Sequence, residues 1–525
     1  MERRAFLRNT AAATVLPAFI NGFSIKAFGE SPLLQAMERA ADNDHVLVMI
    51  QLVGGNDGLN MVIPLDQYAG YVQARANIAI PQGSVLKLNN NVKAGLHPSM
   101  TGMQQLYNEE KVCIVQSVGY PSPNFSHFRA TDIWTSGSDA DTIEYTGWGG
   151  RYLDYKYPNY PVGYPSDDMP DPLAIQIGSI VSPAFQGANT NNGIAISSAT
   201  DFYNLVAGVQ DPVPNTYAGK ELSYIRLIAN QADHFSTVIK KAALAAPTQG
   251  DYPDNYLAAQ LKIVARLIAG GLKTRMYMVS MGGFDTHASQ VDGDTTKGQH
   301  AGLLGDISSS VKAFMDDLKK IGASRRVAGM TFSEFGRRIK SNGSMGTDHG
   351  AAAPMIIFGD YVNQGVLGNT PPMPTQVSVA DNVPMQYDFR SVYASILEQW
   401  FCVPSTDLKK LLFNDYQSLP LMSGIACGTV TGIDDVNAAG EHMITNYPNP
   451  FTDKTTITYK TRGGFTMVQI FDTMGRLVGT PQQGSQPAGQ YTLSFDASRL
   501  ANGIYYARLQ NNATQDVRPM LKVKG

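Results

Sequence analysis

Residues 45–60 read HVLVMIQLVGGNDGLN, an apolar run that ends in two glycines followed by polar side chains. Continuous apolar runs of this kind are typical of parallel strands that are buried on both faces of a sheet. A second run of the same character, KVCIVQSVG, occupies residues 111–119. The two runs therefore predict two buried strands of a parallel sheet.

Strand-like and helix-like segments alternate along the rest of this region. Helical spacing covers residues 220–246, 251–272, 300–320 and 389–401, and apolar strand patterns cover RMYMVSMGG (275–283), RVAGMTFSEF (326–335) and APMIIFG (353–359). This alternation predicts an α/β fold with a doubly wound, mostly parallel sheet and helices on both faces.

Polar side chains follow these strands at the ends where a doubly wound sheet binds its ligands. Carboxylates and imidazoles are the groups that hold Zn²⁺ or a harder divalent cation. The candidate metal ligands at this edge are Asp57, Asp285, His287, Glu334, Asp348 and His349.

Each candidate also has a structural interpretation. Asp57 lies in a glycine-rich turn, where aspartate is common for local reasons. Glu334 could form an ion pair with Arg337 or Arg338, and Ser126 could cap a helix. We expect His97 and His127 to be structural or to support the ligands, and His300 to lie on the surface, on a helix.

Composition limits the classes of protein that remain. The chain has 525 residues, 43% of them hydrophobic and 16% charged, with a net charge of −3, which fits one large domain plus an appendage and excludes a disordered chain. The sequence shows no basic stripe for nucleic acid and no apolar run of the ~18 residues that a membrane span needs. Of the three cysteines, Cys113 is expected to be a buried thiol, and Cys402 and Cys427 either close a surface loop as a disulfide or stay unpaired.

The two ends of the chain indicate export. Residues 1–29 place Arg3 and Arg4 before a short apolar stretch and resemble a twin-arginine signal peptide; an ordinary amphipathic helix is the alternative.

Residues 429–445 have the composition of a linker. Residues 446–525 contain five short segments of period-two patterning, which predict a small all-β sandwich. Its phrases YPNPF, DTMGRLV and LANGIYYARL resemble the C-terminal sorting domain of the type IX secretion system, although an immunoglobulin-like or carbohydrate-binding appendage remains an alternative. This resemblance implies that the twin-arginine and type IX export machineries are partners and that the protein is secreted or held at the outer-membrane surface.

The central region, assigned to residues 30–428, also resembles a known family. GGNDGLN, LHPSM, SHF, GWGGRYLD, GGFDTH, SEFGRR and TDHG occur in the order found in the bacterial family catalogued as domain of unknown function 1501. That family is similar to the superfamily of alkaline phosphatases, sulfatases and phosphoglycerate mutases, in which two metals flank a nucleophile at a helix N-terminus. The resemblance implies an alkaline phosphatase-like sheet, with Ser126 as the nucleophile, Asp57 as the first metal aspartate and Asp285 with His287 on one metal.

This sequence departs from the superfamily's pattern at several positions. Asp285 and His287 are closer in sequence than the usual pair, and Glu334 is followed by Phe335 where the superfamily has Asp-His. Either His349 is the later metal histidine and one nitrogen ligand is missing, or Asp348 and His349 are themselves the displaced pair. The C-x-P-S-R motif of formylglycine sulfatases is absent from the sequence.

These observations lead to two hypotheses. The first is a secreted hydrolase of phosphate or sulfate esters, carried by small molecules or glycans, that uses Zn²⁺ or else Mg²⁺, Mn²⁺ or Ca²⁺. In this hypothesis Ser126 or water attacks the ester, and Arg337 or Arg338 holds an ester oxygen. The alternative is a non-catalytic secreted or surface-anchored binding protein on a degenerate fold of the same kind.

The signal assignment gives a first prediction. Replacing both Arg3 and Arg4 with lysine should block export and leave precursor in the cytoplasm, because a receptor recognises the arginine pair itself. Fractionation followed by immunoblotting measures this distribution. Normal amounts of the double variant outside the cytoplasm would contradict the assignment.

Overall fold

The structure is a computed structural model that describes residues 17–20, 23–26, 44–197, 234–246, 250–425, 427, 444–472, 476–511 and 514–524. It divides into two compact units. One unit spans Asp42–Cys427, and the other combines Gly428–Gly525 with Met1–Ala41. Arg3, Arg4 and most of the predicted linker lie outside the described residues. Within the signal region the structure describes two short antiparallel strands, β1 (Pro17–Ile20) and β2 (Phe23–Lys26).

The larger unit is built on a nine-stranded mixed sheet. Its members are β3 (Val46–Leu52), β7 (Val112–Gly119), β8 (Ala174–Ile177), β9 (Gly193–Ile196), β10 (Met276–Met281), β11 (Val327–Phe332), β14 (Ala353–Gly359), β15 (Gly365–Leu367) and β16 (Tyr387–Asp388). The order across the sheet is β15-β7-β14-β11-β3-β10-β8-β9, with β16 also paired to β7. Only β14 runs against its neighbours, so the prediction of a mostly parallel sheet is confirmed.

Helices cover both faces of this sheet. They are α1 (Gly58–Met61), α2 (Tyr68–Ala74), α3 (Thr101–Asn108), α4 (His127–Ser136), α5 (Trp148–Lys156), α6 (Tyr256–Ala269), α7 (Gln299–Lys320), α8 (Phe389–Gln399) and α9 (Ser405–Leu412), and residues 234–245 are also helical. Apolar side chains of α3, α6 and α7 fill a core on one face, and those of α4, α5, α8 and α9 fill a core on the other. Strand side chains alternate between the two cores, which is why β3 is apolar at nearly every position.

Smaller elements complete the rim of the sheet. β4 (Val62–Pro64), β5 (Leu86–Leu88) and β6 (Asn91–Leu96) form a three-stranded antiparallel sheet. β12 (Gly336–Arg337) pairs with β13 (His349–Gly350), and their register places Arg337 opposite His349. This short pairing brings the segment before β14 back to the segment after β11.

The described part of the C-terminal unit is all-β, as predicted. β17 (Ile444–Tyr447), β18 (Lys454–Asp472), β19 (Leu477–Asp496), β20 (Gly503–Asn511) and β21 (Thr514–Lys522) join in one antiparallel sheet around a small apolar core. The segments expected to be separate short strands are merged in β18 and β19, which form one long hairpin.

None of the helices in the part of the chain that the structure describes is both long and apolar enough to cross a membrane.

The cysteines occupy two different environments. Cys402 and Cys427 form a disulfide with a Cα–Cα distance of 5.0 Å, as the first of the two alternatives predicted. Cys113 is a free, buried thiol, and burial raises its pKa to about 12. The disulfide therefore ties the last part of the larger unit to the end of α8.

This pairing yields a prediction about stability. A double variant, Cys402→Ser with Cys427→Ser, should lose ~2–4 kcal/mol of unfolding free energy, because the bridge restricts the unfolded chain. Denaturant unfolding measures the loss. Cys113 serves as an internal standard for thiol labelling: the unreduced, unfolded wild type should label only there. Labelling of all three cysteines without reduction would show that the bridge does not form.

Candidate metal centre

The loops that follow β3, β10 and β11 meet at one edge of the sheet. Gly54, after β3, has a φ of 125°, and a Cβ there would lie 2.3 Å from the backbone nitrogen of Asp285, after β10. Only glycine permits this approach of two backbones. The pair of glycines that ends the first apolar run thus lets the β3 loop pack directly against the loop that carries Asp285.

Asp285 is the centre of a cluster of histidines. Its Oδ1 lies 2.8 Å from His287 Nδ1 and 3.2 Å from His349 Nε2. Its Oδ2 lies 3.6 Å from His127 Nε2, and the Arg337 guanidinium donates to Oδ1 at 2.7 Å. Partial burial acts against ionisation, but the hydrogen bond and the charge of the Arg337 guanidinium hold the pKa of Asp285 down to about 2. The carboxylate is therefore ionised at neutral pH.

Two of the histidines are held in place through their Nδ1 atoms. His349 Nδ1 lies 2.8 Å from the carbonyl oxygen of Phe125, and a carbonyl only accepts, so this nitrogen carries the proton. Its Nε2 lone pair then points to Asp285. Burial lowers the pKa of His349, which favours this neutral form.

His127 has the same arrangement with a carboxylate as its partner. Its Nδ1 lies 2.7 Å from Glu334 Oε1, which also accepts a bond from the Gly54 backbone nitrogen at 2.8 Å. Glu334 is buried, with 1% of its surface exposed. A carboxylate behind a histidine is the usual support of a metal-binding imidazole, because it fixes the ring and its tautomer.

His127, Asp285 and His349 together form a donor set that fits a metal. One ligand atom from each lies within 4.8 Å of the other two. Two imidazole nitrogens and one carboxylate oxygen match the three protein ligands of a catalytic zinc site. His287 contacts Asp285 at the edge of this group, and the rings of His287 and His349 lie 4.6 Å apart.

Asp57 lies away from this group in a second, buried polar cluster. Its Oδ2 accepts from Arg75 Nη1 at 2.7 Å and from Gln290 Nε2 at 2.6 Å. Burial opposes ionisation, yet the Arg75 guanidinium holds the pKa of Asp57 below its ordinary value. Oδ1 is buried and has no hydrogen-bond partner among the described residues.

The other sequence-predicted residues take up different positions. Ser126 is exposed directly before α4 and makes no side-chain capping bond. Asp348 is exposed, and its carboxylate accepts from Asn342 Nδ2 at 3.0 Å. Arg337 is buried, and besides Asp285 it donates to backbone carbonyls of four residues: Gly54, Gly55, Phe284 and Thr347. Its guanidinium therefore holds the loops together.

Three histidines and one arginine are more closely involved in this region than the sequence indicated. His127 belongs to the central group, and its position directly after Ser126 was the available signal. His300, expected on the surface, is 1% exposed and faces Asn56 at 3.0 Å, because α7 turns this side chain under the β3 loop. Burial lowers the pKa of His300 to about 4 and that of His97 to about 3, so both are neutral. Arg75, the partner of Asp57, carries no motif that would have identified it.

An open cavity of about 560 Å³ adjoins the group. His127, Asp285 and Glu334 contribute to its wall, together with Phe128 and residues from the loops after β3 and β8. The ligand atoms are thus reachable from outside along α4.

Two segments of the chain match known family models. Residues 228–411 match the family described as "Protein of unknown function (DUF1501)", and residues 445–522 match "Secretion system C-terminal sorting domain". Both resemblances found in the sequence are thereby confirmed. The sorting domain shows that the protein is secreted, to the cell surface or beyond it. No curated protein matches the chain.

Three solved structures are similar at low identity. A protein in the alkaline phosphatase superfamily from Vibrio parahaemolyticus has 9% identity and a TM-score of 0.32, covering 88% of this chain and 84% of its own. A phosphonate monoester hydrolase from Silicibacter pomeroyi has 8% identity and a TM-score of 0.34, with coverages of 91% and 88%. A protein described as a sulfatase from Bacteroides fragilis has 10% identity and a TM-score of 0.30, with coverages of 87% and 90%.

The role of Arg337 can be tested by stability. Arg337→Ala should lower the unfolding free energy by ~3–5 kcal/mol, because it removes a buried charge and leaves the Asp285 carboxylate and several carbonyls without their donor. Arg338→Ala is the matched control: this half-buried neighbour stacks on Phe125 and should cost ~1 kcal/mol or less. Denaturant unfolding of both variants measures the difference. Equal losses would contradict the proposed role in joining the loops.

Proposed function

We propose that this protein, which carries a DUF1501 domain and a C-terminal sorting domain, is an exported metal-dependent hydrolase of phosphate or sulfate esters. The observation that carries the proposal is the convergence of His127, Asp285 and His349 beside an open cavity. The Nε2 atoms of His127 and His349 lie 3.6 Å and 3.2 Å from the Asp285 carboxylate, so two imidazole nitrogens and one carboxylate converge on the same small volume.

The donor set favours zinc over the harder cations. Ca²⁺ and Mg²⁺ prefer oxygen ligands almost exclusively, whereas Zn²⁺ readily takes imidazole nitrogen. Zinc sites in enzymes use three protein ligands and keep a further position for substrate or water. In the proposal, His127 Nε2, Asp285 and His349 Nε2 are those three ligands, and His287 is a neighbour that orients Asp285.

One metal fits this structure better than two. Asp57, the expected ligand of a second metal, forms an ion pair with Arg75 at 2.7 Å, so a guanidinium already supplies the positive charge beside it. Glu334 is occupied by His127 and the Gly54 backbone nitrogen, and Asp348 by Asn342. We therefore propose that Glu334 positions His127 and that Asp57 supports the β3 loop.

In the proposed reaction, the protein's own side chains and backbone supply the nucleophile and the hydrogen-bond donors. When bound, the divalent cation would supply Lewis-acid polarisation of the ester oxygens. Ser126 is the proposed nucleophile: its hydroxyl is exposed, and the next residue is His127. The backbone N–H groups that open α4 would add donors for an ester anion. In net terms, ester and water give an alcohol and the free acid anion, with Ser126 restored.

Metal content tests the proposal directly. His127→Ala and His349→Ala should each lower zinc affinity at least tenfold, because each removes one of three ligands. Ser126→Ala should keep the metal and lose hydrolysis of p-nitrophenyl esters. His234→Ala is the matched control, since this histidine lies outside the candidate centre, 3.1 Å from the Pro170 carbonyl and beside the ring of Phe235. The measurements are metal analysis after dialysis and a titration of each variant with zinc.

Two results would count against the proposal. Full zinc occupancy in both histidine variants would mean that the group is structural. A stable wild-type core that takes up no metal would favour the alternative of a non-catalytic binding protein. About two metals per chain would contradict only the single-metal assignment.

A further inference from the structure

We infer that the ligand of this site is a monoanionic ester with an aromatic or apolar substituent, and that the substituent lies in the cavity beside His127. The inference rests on the proposed hydrolase function and specifies its substrate class. It follows from the shape of the cavity wall, from the charge around it and from the state of its polar groups.

The wall of the cavity offers apolar surface to a ligand. Phe128 is 90% exposed, one residue from His127, and Val53 is 38% exposed on the opposite loop. Pro183 and Gly283 lie on the same wall. A ligand that covered this exposed phenylalanine ring would be bound more tightly, because apolar surface would be removed from water. The feature is therefore suited to a ring or an alkyl group next to the reacting centre.

The net charge of the side chains around the candidate metal centre is small. Among the described residues that line the cavity, none is a lysine or an arginine. Among the aspartate, glutamate and arginine side chains of the centre, the carboxylates of Asp285 and Glu334 outnumber the buried guanidinium of Arg337 by one. A divalent cation would turn this excess into one net positive charge. That charge matches a monoanion, such as a diester of phosphate or an ester of sulfate, better than the dianion of a phosphate monoester.

Nearby cations are already paired. Asp132, in the wall, accepts from Arg129 Nη1, and Arg129 Nη2 donates to the carbonyls of Asp139, Ala140 and Thr142. Arg338 donates to the Ala380 carbonyl and stacks over Phe125. Neither guanidinium is placed to balance a second negative charge on the ligand.

One hydroxyl group in the wall of the cavity already donates its hydrogen bond within the protein. Thr135 Oγ1 donates to the Thr131 carbonyl at 2.8 Å. A sugar would need several convergent donors and acceptors, since each buried hydroxyl without a partner weakens binding. An aryl or alkyl substituent needs none, so the cavity favours it over a glycan.

The test is binding of three ester anions to the full chain loaded with zinc, measured by calorimetry: the diesters diphenyl phosphate and dimethyl phosphate, and the monoester phenyl phosphate. At pH 8 phenyl phosphate is a dianion, and the other two are monoanions. We expect diphenyl phosphate to bind at least tenfold more tightly than either of the others. Turnover of bis(p-nitrophenyl) phosphate, p-nitrophenyl sulfate and p-nitrophenyl phosphate is measured in parallel.

Two substitutions separate the two parts of the inference. Phe128→Ala should weaken diphenyl phosphate about tenfold and leave dimethyl phosphate unchanged, with Tyr145→Ala, an exposed aromatic outside the cavity, as the control. Thr131→Lys adds a cation to the wall and should shift the preference towards phenyl phosphate at least fivefold. Both positions are solvent-accessible or half-buried, so these variants should fold.

The outcomes are distinct. Tighter binding of phenyl phosphate than of diphenyl phosphate, or equal effects of Phe128→Ala and Tyr145→Ala, would overturn the inference while the hydrolase proposal stands. Selective binding of diphenyl phosphate without turnover of any of the three esters would support the inference about the ligand and contradict the hydrolase.

Discussion

The buried guanidinium of Arg337 is the interaction on which the candidate site depends. It donates to carbonyls of the loop after β3, the loop after β10 and the segment before β13, and to the carboxylate of Asp285. A single planar group with five N–H donors can satisfy several backbones at once, which a lysine cannot do. Because these loops come from distant parts of the chain, Arg337 is what converts separate strand ends into one site.

The buried charge of Arg337 also explains why the loop after β3 contains two successive glycines. Gly54 and Gly55 have φ angles of 125° and 79°, and their carbonyls turn towards Arg337. A side chain at Gly55 would lie 2.3 Å from the Phe335 ring. An unpaired guanidinium in this interior would cost several kcal/mol, so the backbone must supply acceptors at close range. The conformation of the β3 loop thus depends on Arg337, which lies 282 positions further along the chain than Gly55.

The fold was predictable from sequence to a large extent, because its signals are local. Continuous apolar strands that end in glycine, with helical spacing between them, predict the buried parallel sheet and the edge where ligands gather. The reversed direction of β14 was not predictable, since an isolated apolar strand carries no information about its direction. The same holds for the merging of the C-terminal segments into the long hairpin of β18 and β19, which depends on pairing across the sheet.

Only part of the candidate site was predictable. Asp285 and His349 were identified because each lies beside a strand end, whereas the weight of His127 depends on how α4 packs against the β11 loop. The partners of Asp57 and Glu334 were not predictable from the sequence, for one physical reason. A carboxylate in the interior requires a counter-charge or several donors, and the sequence does not show that Arg75 is the partner of the first and His127 that of the second.

These two pairings change the electrostatics of the whole rim. With Asp57 neutralised by Arg75, the negative charge that would attract a second cation is absent from the β3 loop. Glu334 Oε1 lies 2.7 Å from His127 Nδ1 and fixes that ring, and Asp285 is the more exposed carboxylate of the group. A site that holds fewer cations tolerates less negative charge on its ligand. In the proposed function, the number of bound cations and the charge of the ligand are therefore linked, and the buried pair of Asp57 and Arg75 bears on both.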